Sequence, residues 1–295
     1  MSKIYDAVMG LVVADAVGVP VEFKARGTFN VTDMIGYGTY NLPPGTWSDD
    51  SSMTLATIES MARLGKIDPG DIMNNFARWL YDKEFTPYGK VFDAGMTTQI
   101  AVGRYKSGTD YNLCGGDDIR DNGNGSLMRI LPLAFTDCDD ATIEAVSALT
   151  HAHAISKIAC KIYVHIARDL IAGKKLEDLI SNIHTEHKEF RILPLLKVMR
   201  HKEVRSTGYV VHTLEAALWC LLNSKSYREC VLLAVNLGDD TDTIAAVAGG
   251  LAGILYGRGR DNENGIPEEW ITQIARKEWI EKLCSSLACK FPKYD

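Results

Sequence analysis

Three carboxylates stand within four residues, Asp239, Asp240 and Asp242, and directly after them the chain reads Thr243-Ile244-Ala245-Ala246-Val247-Ala248-Gly249-Gly250-Leu251-Ala252-Gly253. The small side chains let neighbouring backbones come close, while the glycines lower helix propensity. A helix of that composition persists only where other helices enclose it, so the stretch is expected to be the central packed helix of an all-α fold. One carboxylate suffices to cap a helix. Three repel one another by more than a cap offsets, unless a cation lies among them.

Apolar residues recur at helical spacing almost everywhere else, and alternating β-branched runs are scarce. Helices are expected over Ile4–Val17, Ser51–Arg63, Asp71–Tyr81, Ala94–Tyr105, Leu127–Phe135, Ala141–Leu149, Ser156–Ala172, Leu176–Ile183, Val211–Leu222, Tyr227–Leu237, Thr243–Leu255 and Pro267–Leu283. No fixed-period repeat is present, which argues against a solenoid. The 295 residues are compatible with one domain or two.

With 46% hydrophobic and 24% charged residues the composition is that of an ordinary soluble globular protein. A net charge of −6 without a basic block argues against binding to a phosphate backbone. The seven cysteines are odd in number and form no C-x-x-C, so neither a disulfide framework nor a zinc ribbon is indicated. A reducing compartment, and hence a cytoplasmic location, is expected. The apolar N-terminal run is interrupted by Asp6 and Asp15 and reads as a first helix rather than a signal peptide. Ile244–Tyr256, at thirteen residues, is shorter than the roughly 20 that a membrane-spanning helix needs, so no membrane partner is expected.

Two long non-helical stretches, Phe23–Trp47 and Ser107–Ser126, each end at an expected helix start rich in small polar or acidic residues. At the first, Ser48-Asp49-Asp50-Ser51 is either a cap or a site for a hard cation such as Mg²⁺, Mn²⁺ or Ca²⁺. Together with the acidic group before Thr243 it could supply about six oxygens to two metals roughly 3.5–4 Å apart. Zinc fits less well, because no Cys or His lies close to these acids in sequence. An EF-hand loop beginning at Asp118 is excluded, since Arg120 would take its third position and Arg129 the place of the bidentate Glu.

At the second, Asp121-Asn122-Gly123-Asn124-Gly125-Ser126 is either an ordinary turn or a phosphate cradle at a helix N-terminus. It lacks the Lys of a nucleotide-triphosphate loop. His151 reads as a packing residue or a ligand contact, and Glu22 as a surface carboxylate or a general acid/base on a mobile loop.

With these pieces in order, the sequence resembles the ADP-ribosylglycohydrolase family, which includes the dinitrogenase reductase activating glycohydrolases and the J1-type crystallins. The anchors are 14–23 (ADAVGVPVEF), 47–51 (WSDDS), 93–98 (DAGMTT), 124–129 (NGSLMR), Thr150-His151 and 238–243 (GDDTDT). The resemblance implies one orthogonal all-α bundle over residues 1–295, and hydrolysis of the glycosidic bond between ADP-ribose and an acceptor at a pair of Mg²⁺ or Mn²⁺ ions. It implies Ser48, Asp49, Asp50, Asp240, Asp242 and Thr243 as metal ligands. Gly123, Asn124, Gly125 and Ser126 would line the diphosphate and distal ribose, His151 would touch the ligand, and Glu22 or Asp93 would move the proton.

Four departures stand out: Ser48 and Ser51 replace Thr, while Ala14 and Asp239 replace Gly, the last adding charge beside the metals. Two rival readings stay open here, a two-metal phosphoesterase acting on a nucleotide and a non-catalytic ADP-ribose-binding protein of the crystallin kind. The expected partner is an ADP-ribosylated protein, nucleobase or small molecule.

Overall fold

The computed structural model describes residues 2–183, 185–259 and 263–294. Among these residues the architecture is all-α, and the only β pairing is four isolated bridges. Twelve α-helices follow one another: α1 (Lys3–Gly18), α2 (Asp49–Leu64), α3 (Pro69–Asp82), α4 (Met96–Lys106), α5 (Asp140–Ala148), α6 (Ala154–Ile171), α7 (Leu176–Ser181), α8 (Val210–Leu222), α9 (Tyr227–Val235), α10 (Thr241–Tyr256), α11 (Glu268–Ile271) and α12 (Lys277–Lys290). Short 3₁₀ turns fill many of the connections.

The Ala/Gly-rich stretch is indeed the central helix. Every residue of α10 from Thr241 to Ile254 is buried, as are fourteen of the sixteen in α1, and the two run antiparallel. Their backbones touch where side chains are absent. A Cβ on Gly253 would lie 2.1 Å from the Asp6 carbonyl oxygen, and one on Gly10 would lie 2.5 Å from that of Gly249. Lys3–Val21 is long and apolar enough to cross a membrane by length and composition, yet all of it but Lys3 and Tyr5 is buried within the protein, as expected of a core helix.

α2 starts where Ser48 accepts from the Asp50 amide at 3.3 Å and stops at left-handed Gly65, whose amide donates to the Met61 carbonyl. That start places Asp49 and Asp50 in its first turn.

Two of the expected helices differ. Leu127–Phe135 is not α-helical: Asn124–Ser126 and Leu131–Phe135 are 3₁₀ turns, because Pro132 removes an amide and disfavours helical geometry in the residue before it. Pro267–Leu283 is broken into α11 and α12 at Arg276, which is left-handed with φ 57°. The break lets this segment dock on Gly45, whose carbonyl accepts from the Ala275 amide at 3.0 Å, while Trp47 Nε1 donates to the Ala275 carbonyl at 2.9 Å. Helical spacing carries no trace of that long-range contact.

Candidate metal and substrate site

Three backbone segments meet at the ends of α1, α2 and α10. Gly18, at the end of α1, lets the first turn of α10 lie against it. Asp15, one turn earlier, accepts from the Ser48 amide at 3.0 Å and from the Ser51 amide at 3.1 Å, and Ser51 Oγ donates to the same carboxylate. α1 therefore fixes the start of α2. Beyond the 3₁₀ turn Val19–Val21, Glu22 turns inward and is buried. Its segment is pinned: the Phe23 amide donates to the Asp239 carbonyl at 2.8 Å and the Asp239 amide to the Lys24 carbonyl at 2.9 Å. Arg26 also donates to the carbonyls of Leu237, His201 and Val204. The mobile loop expected for Glu22 is thus a clamped one.

The acids converge. One oxygen each of Asp15, Asp50 and Asp242 lie within 4.8 Å of one another, and so do oxygens of Glu22, Asp93 and Asp242. Asp242 belongs to both groups. Asp49 and Asp240 line the same cavity as Glu22, Asp93 and Thr243, while Ser48 Oγ and Thr243 Oγ1 donate to Asp50 Oδ2 at 3.1 and 3.3 Å. Asn124 Nδ2 donates to Asp240 Oδ2 at 2.7 Å.

Burial, reinforced by neighbouring carboxylates, holds Asp49, Asp50 and Asp242 well above the usual carboxylate range. Burial and then Asp93 push Glu22 up to about 9, and burial pushes Asp15 up to about 7 against the hydrogen bonds it accepts. Glu22 Oε2, Asp50 Oδ1 and Asp242 Oδ2 are buried without a partner. Such orphaned acceptors are costly. No lysine or arginine lines this cavity among the described residues, so the donor set, all oxygen, fits hard divalent cations.

The cavity encloses about 410 Å³. Gly123, Asn124, Gly125 and His151 contribute to its lining alongside the acids. A Cβ on Gly125 would come within 2.8 Å of His151 Cε1, so only glycine fits there. Two expectations for this loop are corrected. It opens no α-helix, so the loop itself brings no helix macrodipole to the cavity. Ser126 is fully buried and absent from the lining, with its hydroxyl oxygen 3.0 Å from Ser147 Oγ in the packed interior. Asp239 also differs from expectation, since its carboxylate is exposed, accepts from Ser206 and lies outside both acidic groups.

Two contributors carry little signal in the sequence. Asp15 is an acid within an apolar helical run, which reads there only as an interruption. Tyr40 lies in a long loop, and its hydroxyl stands beside the carboxyl groups of both Glu22 and Asp93.

Compared with known proteins, residues 1–294 match the model of the ADP-ribosylglycohydrolase family. The chain belongs to that family. An ADP-ribosylarginine hydrolase, Tri1, of Serratia proteamaculans is 33% identical over all of this chain and 81% of its own length. The Tri1 of Pseudomonas putida is 35% identical over 98% of this chain and 78% of its own. The ADP-ribosyl-[dinitrogen reductase] glycohydrolase of Rhodospirillum rubrum is 30% identical over 92% and 90%. A solved structure described as an ADP-ribosylglycohydrolase-related protein complex superimposes with a TM-score of 0.81 at 30% identity, covering 98% of both chains. As an ADP-ribosylglycohydrolase the protein hydrolyses glycosidic bonds of ADP-ribose. In this ADP-ribosylglycohydrolase Glu22, Asp49, Asp93 and Asp240 border one cavity with the glycine loop.

Proposed function

We propose that this glycohydrolase releases ADP-ribose from modified arginine side chains, with two Mg²⁺ or Mn²⁺ ions held by Ser48, Asp49, Asp50, Asp240, Asp242 and Thr243. The observation carrying the cation site is the pair of unpartnered buried oxygens on Asp50 and Asp242. The arginine acceptor is supported by the two Tri1 relatives, named for that substrate. The seven free cysteines suit a reducing compartment, in keeping with a cytoplasmic enzyme.

When bound, divalent cations supply Lewis acidity toward the ribose hydroxyls and lower the pKa of water. The chain's own residues do the rest. Amides of Gly123–Gly125 and the His151 ring receive the diphosphate and distal ribose. Carboxylates at Glu22 and Asp93 accept the cationic guanidinium. Water adds at the anomeric carbon as the C–N bond breaks through an oxocarbenium-like state. Glu22 Oε2 takes the proton that water loses and returns it to the departing neutral guanidine, so no net proton is consumed. Tyr40 and Asp93 orient that carboxyl group.

The test is incubation with ADP-ribosylated arginine, serine and nucleobase and with O-acetyl-ADP-ribose, with Mg²⁺ or Mn²⁺ and then with chelator, followed by chromatography. Free ADP-ribose is expected from the arginine adduct and none once the cation is chelated. AMP as product would indicate a phosphoesterase instead, and survival of every adduct in the metal-loaded sample would sink the reading.

A further inference from the structure

Arg129 is fully buried and has no carboxylate partner among the described residues; its charge is used by nothing in the reaction described above. Its guanidinium lies 4.5 Å over the Phe76 ring, donates to the Val146 carbonyl at 3.2 Å and to Thr150 Oγ1 at 2.8 Å, and leaves Nε without a partner. Thr150 Oγ1 in turn lies 2.8 Å from His151 Nδ1. Both Thr150 and His151 are buried.

An arginine can only donate. Thr150 Oγ1 therefore accepts from it, and since His151 Nδ1 is the one acceptor found for the hydroxyl's single proton among the described residues, that buried proton is satisfied only by donation to Nδ1. A ring nitrogen that accepts carries no proton, so the neutral imidazole bears its hydrogen on Nε2. That nitrogen faces the glycine loop: Cβ atoms on Gly123 and Gly125 would each lie 3.4 Å from it. Burial and the adjacent Arg129 charge push the His151 ring down to about 3, in keeping with a neutral imidazole. The backbone that carries the ring is also fixed, since the His151 amide donates to the Ser147 carbonyl at 3.0 Å and Ser147 Oγ to the His151 carbonyl at 3.2 Å.

We propose that Arg129 and Thr150 are positioning residues that lock His151 as an Nε2–H donor aimed into the ligand cavity. His151 then offers a fixed neutral donor to a phosphate or ribose oxygen and has no lone pair there with which to act as a base. The ligand named rests on the proposed function; the tautomer does not.

The test uses the full chain labelled with ¹⁵N-histidine, with the His151 signals assigned by their loss in His151→Gln. Long-range ¹H–¹⁵N correlation is expected to show one neutral tautomer, protonated at Nε2, from pH 6 to 8. A proton on Nδ1, or an imidazolium at pH 6, overturns the proposal. Arg129→Met, which keeps the hydrocarbon stem but not the donors, is expected to free the Thr150 hydroxyl and populate both neutral tautomers; retention of pure Nε2–H in the folded variant overturns it. ADP-ribose binding with Mg²⁺ present is expected to weaken about tenfold in Thr150→Val and to stay within about twofold in Thr150→Ser. Equal binding by folded Thr150→Val overturns the proposal. Should the parent bind no ADP-ribose, the proposed function fails and the parent and Arg129→Met spectra alone decide the tautomer.

Discussion

Gly18 and Asp242 are in backbone contact: a Cβ on Gly18 would lie 2.4 Å from Asp242 Cα and 2.6 Å from its amide nitrogen. Neither atom can step aside without moving α10. Gly18→Ala should therefore destabilise the protein by about 1–3 kcal/mol, the usual scale of forced overpacking, and displace the Asp242 carboxylate. Urea unfolding and kcat should both fall, with activity falling further than stability alone explains. Parental stability and kcat together would show that this contact is not needed.

Asp50 is buried with one orphaned oxygen among like charges. Asp50→Asn should raise the melting temperature of the cation-free protein, because it removes a costly buried carboxylate. The same change should abolish the rise that Mn²⁺ gives the parent, about 2.7 kcal/mol at a hundredfold excess over Kd. Thermal melts with and without Mn²⁺ check both halves. A Mn²⁺-dependent rise as large as the parent's would remove Asp50 from the cation site.

Glu22→Gln keeps shape but cannot take a proton. A loss of about 10²–10⁴ in kcat is expected, with little change in the affinity for ADP-ribose. Single-turnover rates against binding measured by calorimetry separate the two, and a variant retaining most of kcat would assign the proton transfer elsewhere.

Glu215 gives a pH dependence away from the acidic site. It is buried in α8, and burial pushes its carboxyl up to about 7, although Arg205 Nη2 stands 3.8 Å away and opposes the shift. The folded state thus holds this proton more tightly than the unfolded state does. Its contribution is complete below about pH 4.5 and is lost as pH rises through 7. Glu215→Gln should flatten that slope and stabilise the protein by roughly 2–3 kcal/mol at pH 8 relative to the parent. Urea unfolding at pH 5 and pH 8 measures it; identical slopes for parent and variant would be the contrary result.

Asp239 occupies a left-handed backbone, φ 61°, where glycine is the easier residue. Asp239→Gly should change stability by less than about 1 kcal/mol, since relieved strain is offset by a freer unfolded chain. Asp239→Val should cost more, about 2 kcal/mol, because a β-branched residue resists positive φ. Equal melting temperatures for the two variants would contradict this.

What the sequence disclosed follows from the range of the physics involved. Paired acids at 49–50 and 240–242, and glycines at 123 and 125, are conspicuous because the cost of crowding charge or omitting side chains is local. The structure brings these segments to one cavity together with Glu22, Asp93 and His151. Asp15 and Tyr40 escaped notice because each is a single residue whose meaning comes only from partners far along the chain. Ser126 sits in the right loop, but which way its hydroxyl turns is set by Ser147 and Cys160 packed behind it. The break at Arg276 likewise answers to Gly45, more than two hundred positions earlier.

The antiparallel pairing of α1 with α10 joins segments separated by some two hundred and twenty residues. While a ribosome is still making the chain, this largely apolar helix must wait for some two hundred and twenty further residues before its cover arrives. Throughout that interval it is a natural client for a chaperone, and no nascent fragment lacking Asp242 can acquire catalytic power early.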